Sequence, residues 1–186
     1  VVYGNKDYII KCTVNFIEPP FNGLEDMNKV GDETITVNME AATDYTPATF
    51  TLDLDNIASL LGAENTTDVQ MQGLTDQGGL SDDHTANNGG WWFDANGAVH
   101  NYSGGSFFIE PAAGNTWTVF HIGQMPNTNE GGEEYSAKLY LTFGENYYEV
   151  IVNLHITEKT QIDSDALQVV ASRGITINHT LDTGYG

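Results

Sequence analysis

Positive charge is scarce in this chain. Its 186 residues carry 6 Lys and Arg against 26 Asp and Glu, a formal net charge of −20. Phosphate backbones and anionic headgroups are held by clustered Lys and Arg, so nucleic acid is excluded as a partner, and so is an anionic membrane surface. No apolar run reaches the ~20 residues of a membrane-spanning helix, so no direct membrane insertion is expected. Cysteine is nearly absent: Cys12 is the single one, and no intrachain disulfide can form. It falls on the inward phase of an alternating stretch and reads as a small buried hydrophobe. A secreted chain without disulfides points to bacterial export, not eukaryotic secretion.

Catalytic signatures are missing as well. There is no Gly-x-Ser-x-Gly, no Cys–His pairing and no His-Glu-x-x-His. The Gly-rich spots precede strands instead of helices, so no phosphate cradle is formed. Asp82-Asp83-His84 has no second His or Cys at ligand spacing. The chain is therefore expected to be non-enzymatic, with no catalytic residue and no metal site. No cofactor is expected; Ca²⁺ is the one ion an Asp-rich surface could hold, and only where several oxygens converge.

What is present is apolar content of 40%, with nine Tyr, eight Phe and three Trp, enough for a filled core. Period-2 alternation predicts strands over 6–17, 34–40, 48–54, 91–93, 98–102, 106–110, 116–122, 135–143 and 147–156. Asp44-Tyr45-Thr46-Pro47 reads as a turn. Asp55 is placed to cap a short helix in which Ile57, Leu60 and Leu61 fall at i, i+3 and i+4, with Gly62 closing it. Residues 63–90 have few apolar anchors and read as a partly ordered loop or binding rim. Many short strands, frequent turns and one short helix predict an all-β fold, an antiparallel β-sandwich.

The two ends of the chain are similar to each other. A shift of 140 residues superposes 1–46 on 141–186 without a gap, and nine positions are identical, against roughly three by composition alone. Gly4 and Tyr8 fall on Gly144 and Tyr148, and Ile35-Thr36 on Ile175-Thr176. The apolar phase of Tyr8, Ile10, Cys12, Val14 and Phe16 repeats as Tyr148, Val150, Val152, Leu154 and Ile156. A fixed period predicts a repeat array. Residues 1–22 then read as the C-terminal strands of a preceding unit, 26–160 as one complete sandwich and 165–186 as the start of a following unit, with linkers at 17–25 and 157–165. Neighbouring copies of the same repeat are expected partners.

The sharpest local string is Trp91-Trp92-Phe93-Asp94-Ala95-Asn96-Gly97. Adjacent strand residues point to opposite faces, so one of Trp91 and Trp92 is core and the other faces outward or is covered by the 63–90 loop. Asn-Gly supplies the positive φ of a hairpin turn. The Asp94-x-Asn96-Gly97 spacing opens like a calcium loop but lacks the downstream oxygen ligands. An exposed ring can stack on a sugar while a neighbouring Asp or Asn bonds its hydroxyls. The candidate ligand-binding residues are Trp91, Trp92, Asp94, Asn96 and Tyr102, and the matching partner is a neutral or weakly charged glycan.

An ordered succession of motifs carries a wider resemblance. It runs through Thr43-Asp44-Tyr45-Thr46-Pro47, Phe50-Thr51-Leu52, Trp92-Phe93-Asp94-Ala95-Asn96-Gly97 and Phe120-His121-Ile122-Gly123-Gln124-Met125-Pro126-Asn127. Gly132-Glu133-Glu134-Tyr135 and Phe143-Gly144, with Tyr147-Tyr148, close it. Over about 30–158 the chain resembles an uncharacterised β-sandwich domain of Bacteroidetes surface and secreted proteins, found in tandem or beside glycoside hydrolases and glycan-uptake lipoproteins. The resemblance implies an extracellular or bacterial cell-surface setting and transfers no catalytic residue. The expected function is a non-catalytic module that binds glycan or spaces other modules. The alternatives are a purely structural repeat of a stalk, adhesin or filament, and an accessory domain of a glycoside hydrolase.

Overall fold

The computed structural model describes residues 2–3, 6–7, 23–112 and 117–160. Cys12, most of the 6–17 alternation, most of the 17–25 linker and the 165–186 segment lie outside the described residues. Alternation becomes two five-stranded sheets packed face to face. The front sheet has the order β4-β10-β9-β7-β8, built from β4 (Ala48–Thr51), β7 (Trp91–Phe93), β8 (Val99–His100), β9 (Phe107–Pro111) and β10 (Val119–Gln124). The back sheet has the order β3-β12-β11-β5-β6, built from β3 (Asn28–Glu40), β5 (Gln70–Leu74), β6 (Leu80–Ser81), β11 (Glu134–Phe143) and β12 (Asn146–Thr157). The expected sandwich is present. All pairings in the two sheets are antiparallel except β12 with β3, which run parallel with a bulge at Tyr147/Tyr148.

The core lies between the sheets. In β12 the alternation is strict, with Tyr148, Val150, Val152, Leu154 and Ile156 buried. They face Trp91, Phe93, Phe107, Ile109, Phe120 and Ile122 of the front sheet, all fully buried. Burying a side chain of this size stabilises the fold by about 1.5–3 kcal/mol. Aromatic pairs stack inside the sandwich: Phe50 with Phe120 at 5.1 Å and Phe93 with Phe107 at 5.3 Å.

One end of the sandwich is closed by α1 (Leu54–Leu61), which buries Leu54, Ile57, Ala58 and Leu61. The expected cap at Asp55 is corrected. Asp53 is the N-cap, its carboxylate accepting the Asn56 N–H at 3.1 Å, while Asp55 sits in the first turn where the helix dipole favours an acid. Gly62 closes the helix in the left-handed region at φ 84°, as the sequence predicts.

Two segments are more ordered than their sequences suggest. A strand is expected over 34–40, yet β3 begins at Asn28, because the parallel ladder to β12 extends its pairing down to Asn146. The 63–90 stretch reads as loop, yet β5 pairs with both β11 and β6. Its alternation is hidden by Gly73, which occupies a core position. A Cβ there would lie 2.5 Å from Val99 Cγ2, so neighbouring side chains fill the space that a side chain of its own would take.

A short hairpin precedes the sandwich. β1 (Val2–Tyr3) and β2 (Lys6–Asp7) pair as Val2↔Asp7 and Tyr3↔Lys6. Adding the 140-residue period gives Thr142↔Tyr147 and Phe143↔Asn146, which are the pairs that begin the β11–β12 hairpin.

Candidate functional site

The outer face of the front sheet is built by two ladders. Register sets Gly123, Phe108, Trp92 and His100 side by side across β10, β9, β7 and β8, and Thr49, His121 and Glu110 side by side across β4, β10 and β9. This parity settles the tryptophan pair. Trp91 points into the core and is fully buried; Trp92 lies on the outer face. Trp91 therefore leaves the candidate ligand set. Its ring packs between His84, at 5.1 Å, and Trp117, at 5.7 Å, and its indole N–H has no hydrogen-bond partner among the described residues.

Two loops bring tyrosines to Trp92. The Asp44 carboxylate accepts the Thr46 N–H at 2.9 Å, a tight turn that presents Tyr45 outward. That bond holds the Asp44 carboxyl below its ordinary value. A single 3₁₀ turn over Tyr102–Gly104 presents Tyr102. Gly105 then runs beneath Trp92, where a Cβ would come within 2.6 Å of the ring. Both tyrosine rings stand nearly perpendicular to the indole, with centroids 6.4 Å and 5.4 Å away. Their hydroxyls meet at 2.7 Å. Tyr45 and Tyr102 are half exposed, at 47% and 54%, while Trp92 beneath them is almost covered, at 6%.

These rings wall a cleft of about 620 Å³, lined further by Pro47, Thr85, Asn87, Phe108, Glu110 and His121. That volume lies in the range of small-molecule clefts, roughly 300–1,000 Å³. Phe108 lies flat because Gly123 beside it has no side chain; a Cβ there would sit 2.5 Å from the Phe108 ring. The 85–90 loop is folded onto the cleft. Thr85 Oγ1 accepts the Trp92 N–H at 2.9 Å, and Asn88 Nδ2 donates to Glu110 Oε1 at 3.2 Å. Asn88 takes a left-handed conformation, φ 55°, which asparagine tolerates.

Of the five sequence-derived candidates, the structure brings Trp92 and Tyr102 together. Asp94 and Asn96 lie in the β7–β8 turn, and neither lines the cleft. The Asp94 carboxylate accepts the N–H groups of Asn96 and Ala98 at 2.8 and 3.0 Å, so its acceptors hold the turn. Asn96 lines a separate shallow depression with Tyr135, Asn153 and His155. Tyr45, Phe108, Glu110 and His121 are the cleft residues that sequence reasoning missed. Strand parity could have grouped Phe108 with Glu110; nothing local links them to Trp92.

Among the described residues no three His, Cys, Asp or Glu side chains converge as a metal-binding group. No described helix is long and apolar enough to cross a membrane. The chain is thus an all-β sandwich with an aromatic-walled cleft on the outer face of one sheet. Residues 37–147 match the family model described as a domain of unknown function (DUF4859), and the chain belongs to that family. The match runs from within β3 to the start of β12, so it spans the cleft. No curated protein and no solved structure matches the chain.

Proposed function

We propose that this chain is a non-catalytic glycan-binding module of an extracellular or bacterial cell-surface protein, with its ligand in the Tyr45–Trp92–Tyr102 cleft. The observation that carries the reading is two half-exposed tyrosine rings erected beside an indole on a rigid sheet. Aromatic faces suit the C–H face of a sugar ring, and Asn87, Thr85, Glu110 and His121 offer groups for its hydroxyls. The net charge of −20 disfavours polyanionic glycans. Stacking on one ring contributes on the order of 1 kcal/mol beyond area burial, so a single module binds at micromolar to millimolar strength.

The test is affinity electrophoresis and calorimetry of wild type, Y45A and Y102A against a broad panel of soluble polysaccharides. The expected result is retention by at least one glycan that Y102A abolishes, with the melting temperature nearly unchanged. Retention that survives both substitutions would place the ligand elsewhere. No retention by any glycan would end the binding reading.

A second reading, a spacer in a tandem array, is favoured by one specific observation. The β1–β2 hairpin has the register of β11–β12 displaced by the 140-residue period of the sequence. Binding and spacing are compatible, since repeated weak sites gain strength by avidity.

A further inference from the structure

Among the described residues, the cleft holds a carboxylate with no counter-charge. Glu110 faces outward from β9 and lines the cleft, yet it is only 9% exposed. Among the described residues its side chain takes one hydrogen bond, from the neutral amide of Asn88. The ion pairs among the described residues all lie on the back sheet, where Lys29 meets Asp32 and Glu149, and Lys138 meets Glu149. None reaches Glu110. His121, its neighbour across the ladder, lines the same cleft without forming an ion pair with it. A carboxylate on the wall of a cleft, with a neutral amide as its hydrogen-bond partner, is placed to take a cationic group of a ligand.

We propose that the ligand of this cleft carries a protonated primary amine that pairs with Glu110, which makes it an amino-sugar glycan and not a neutral one. The inference rests on the glycan-binding reading and names the substrate class of that site. Three features converge on it. The Glu110 carboxylate supplies the charge partner at the cleft wall. Trp92, Tyr45 and Tyr102 supply electron-rich ring faces, which attract a cation as well as stacking on a sugar. The net charge of −20 draws a cationic oligomer toward the surface and repels an anionic one. A hydroxyl could also donate to Glu110, but it would leave the charge uncompensated; an ammonium group compensates it and donates in the same contact.

The test uses the full chain and three β-1,4-linked hexamers of matched backbone: glucosamine, N-acetylglucosamine and glucose. Binding is measured by calorimetry at low and moderate salt for wild type, E110Q, Y102A and D76N. E110Q has the same shape and can still accept from Asn88. D76N removes one charge from the β5–β6 turn of the back sheet and controls for diffuse attraction. The expected result is that wild type and D76N bind the glucosamine hexamer about tenfold or more tighter than the glucose hexamer. In E110Q that preference should shrink several-fold, to what the ring faces and the net charge supply, and Y102A should weaken binding of both. Equal binding of the three hexamers by wild type would overturn the amine assignment and leave the glycan reading standing, and that comparison needs no variant to fold. A preference undiminished in E110Q, or lost in D76N, would reduce it to diffuse charge attraction. If no hexamer binds, this assignment falls, and the polysaccharide panel decides the wider reading.

Discussion

The phenolic oxygens of Tyr45 and Tyr102, 57 residues apart in the chain, lie 2.7 Å from each other across Trp92. The bond ties the β3–β4 connection to the turn after β8 and fixes two rings that would otherwise rotate freely at the surface. It also pushes the Tyr45 phenol above its ordinary value of 10.0. A raised value means that the bond favours the neutral phenol. The contact is intact below pH 10 and is lost as pH rises through the elevated value. In spectra of tyrosine labelled at Cζ, Tyr45 should titrate later than a free phenol, and in Y102F it should return toward the ordinary value. An unchanged Tyr45 midpoint in Y102F would show that the bond does not persist in solution.

The two adjacent tryptophans should separate stability from binding. Trp91 is wholly inside the core, so W91A should cost about 3–5 kcal/mol in urea unfolding. Y102A removes a half-exposed ring and should stay within about 1 kcal/mol of wild type. If Y102A destabilises the protein as much as W91A does, the cleft is part of the core and not a site.

Two glycines share a backbone conformation but not a setting. Gly62 has φ 84° with open space around it, and Gly97 has φ 83° with the Ser136 carbonyl of β11 directly against it. G62A should therefore cost only the left-handed penalty, about 1–2 kcal/mol. G97A adds a collision between the β7–β8 turn and the back sheet, and should cost about 2–4 kcal/mol. Equal melting temperatures for the two variants would refute the close approach at Gly97.

Glu133 links the loop before β11 to acid stability. Its carboxylate accepts the N–H groups of Glu130 at 3.0 Å and Gly131 at 2.9 Å, which hold it below its ordinary value of 4.5. A depressed carboxyl stabilises the fold above the ordinary value, and that contribution is lost as pH falls through the depressed one. Wild type should therefore melt above E133Q at about pH 7, and the gap should narrow as pH falls below the ordinary value of 4.5. A gap that widens in acid would contradict the sign.

Most strands were legible because their alternation is local. Residues of β12 such as Val150, Val152 and Leu154 show the period-2 pattern directly, and Gly62 signals its own left-handed turn. β5 was not legible, since Gly73 at a core position leaves Met71 as the one apolar side chain on its inward phase. The N-cap was misplaced by two residues because Asp53 and Asp55 are chemically equivalent in sequence. Only the chain's exit from β4 decides which of them caps the helix.

The sequence by itself determined that Trp91 and Trp92 face opposite ways, that a tight turn follows them, and that the fold is a sandwich. Tertiary structure decided which tryptophan faces outward. Trp91-Trp92-Phe93 is apolar in both phases, so its parity follows from pairing with β9 and from the second sheet covering one side. The cleft was decided in the same way. Tyr45, Trp92, Tyr102 and Glu110 come from four segments that meet through strand register, and register is set by contacts between residues far apart in the chain.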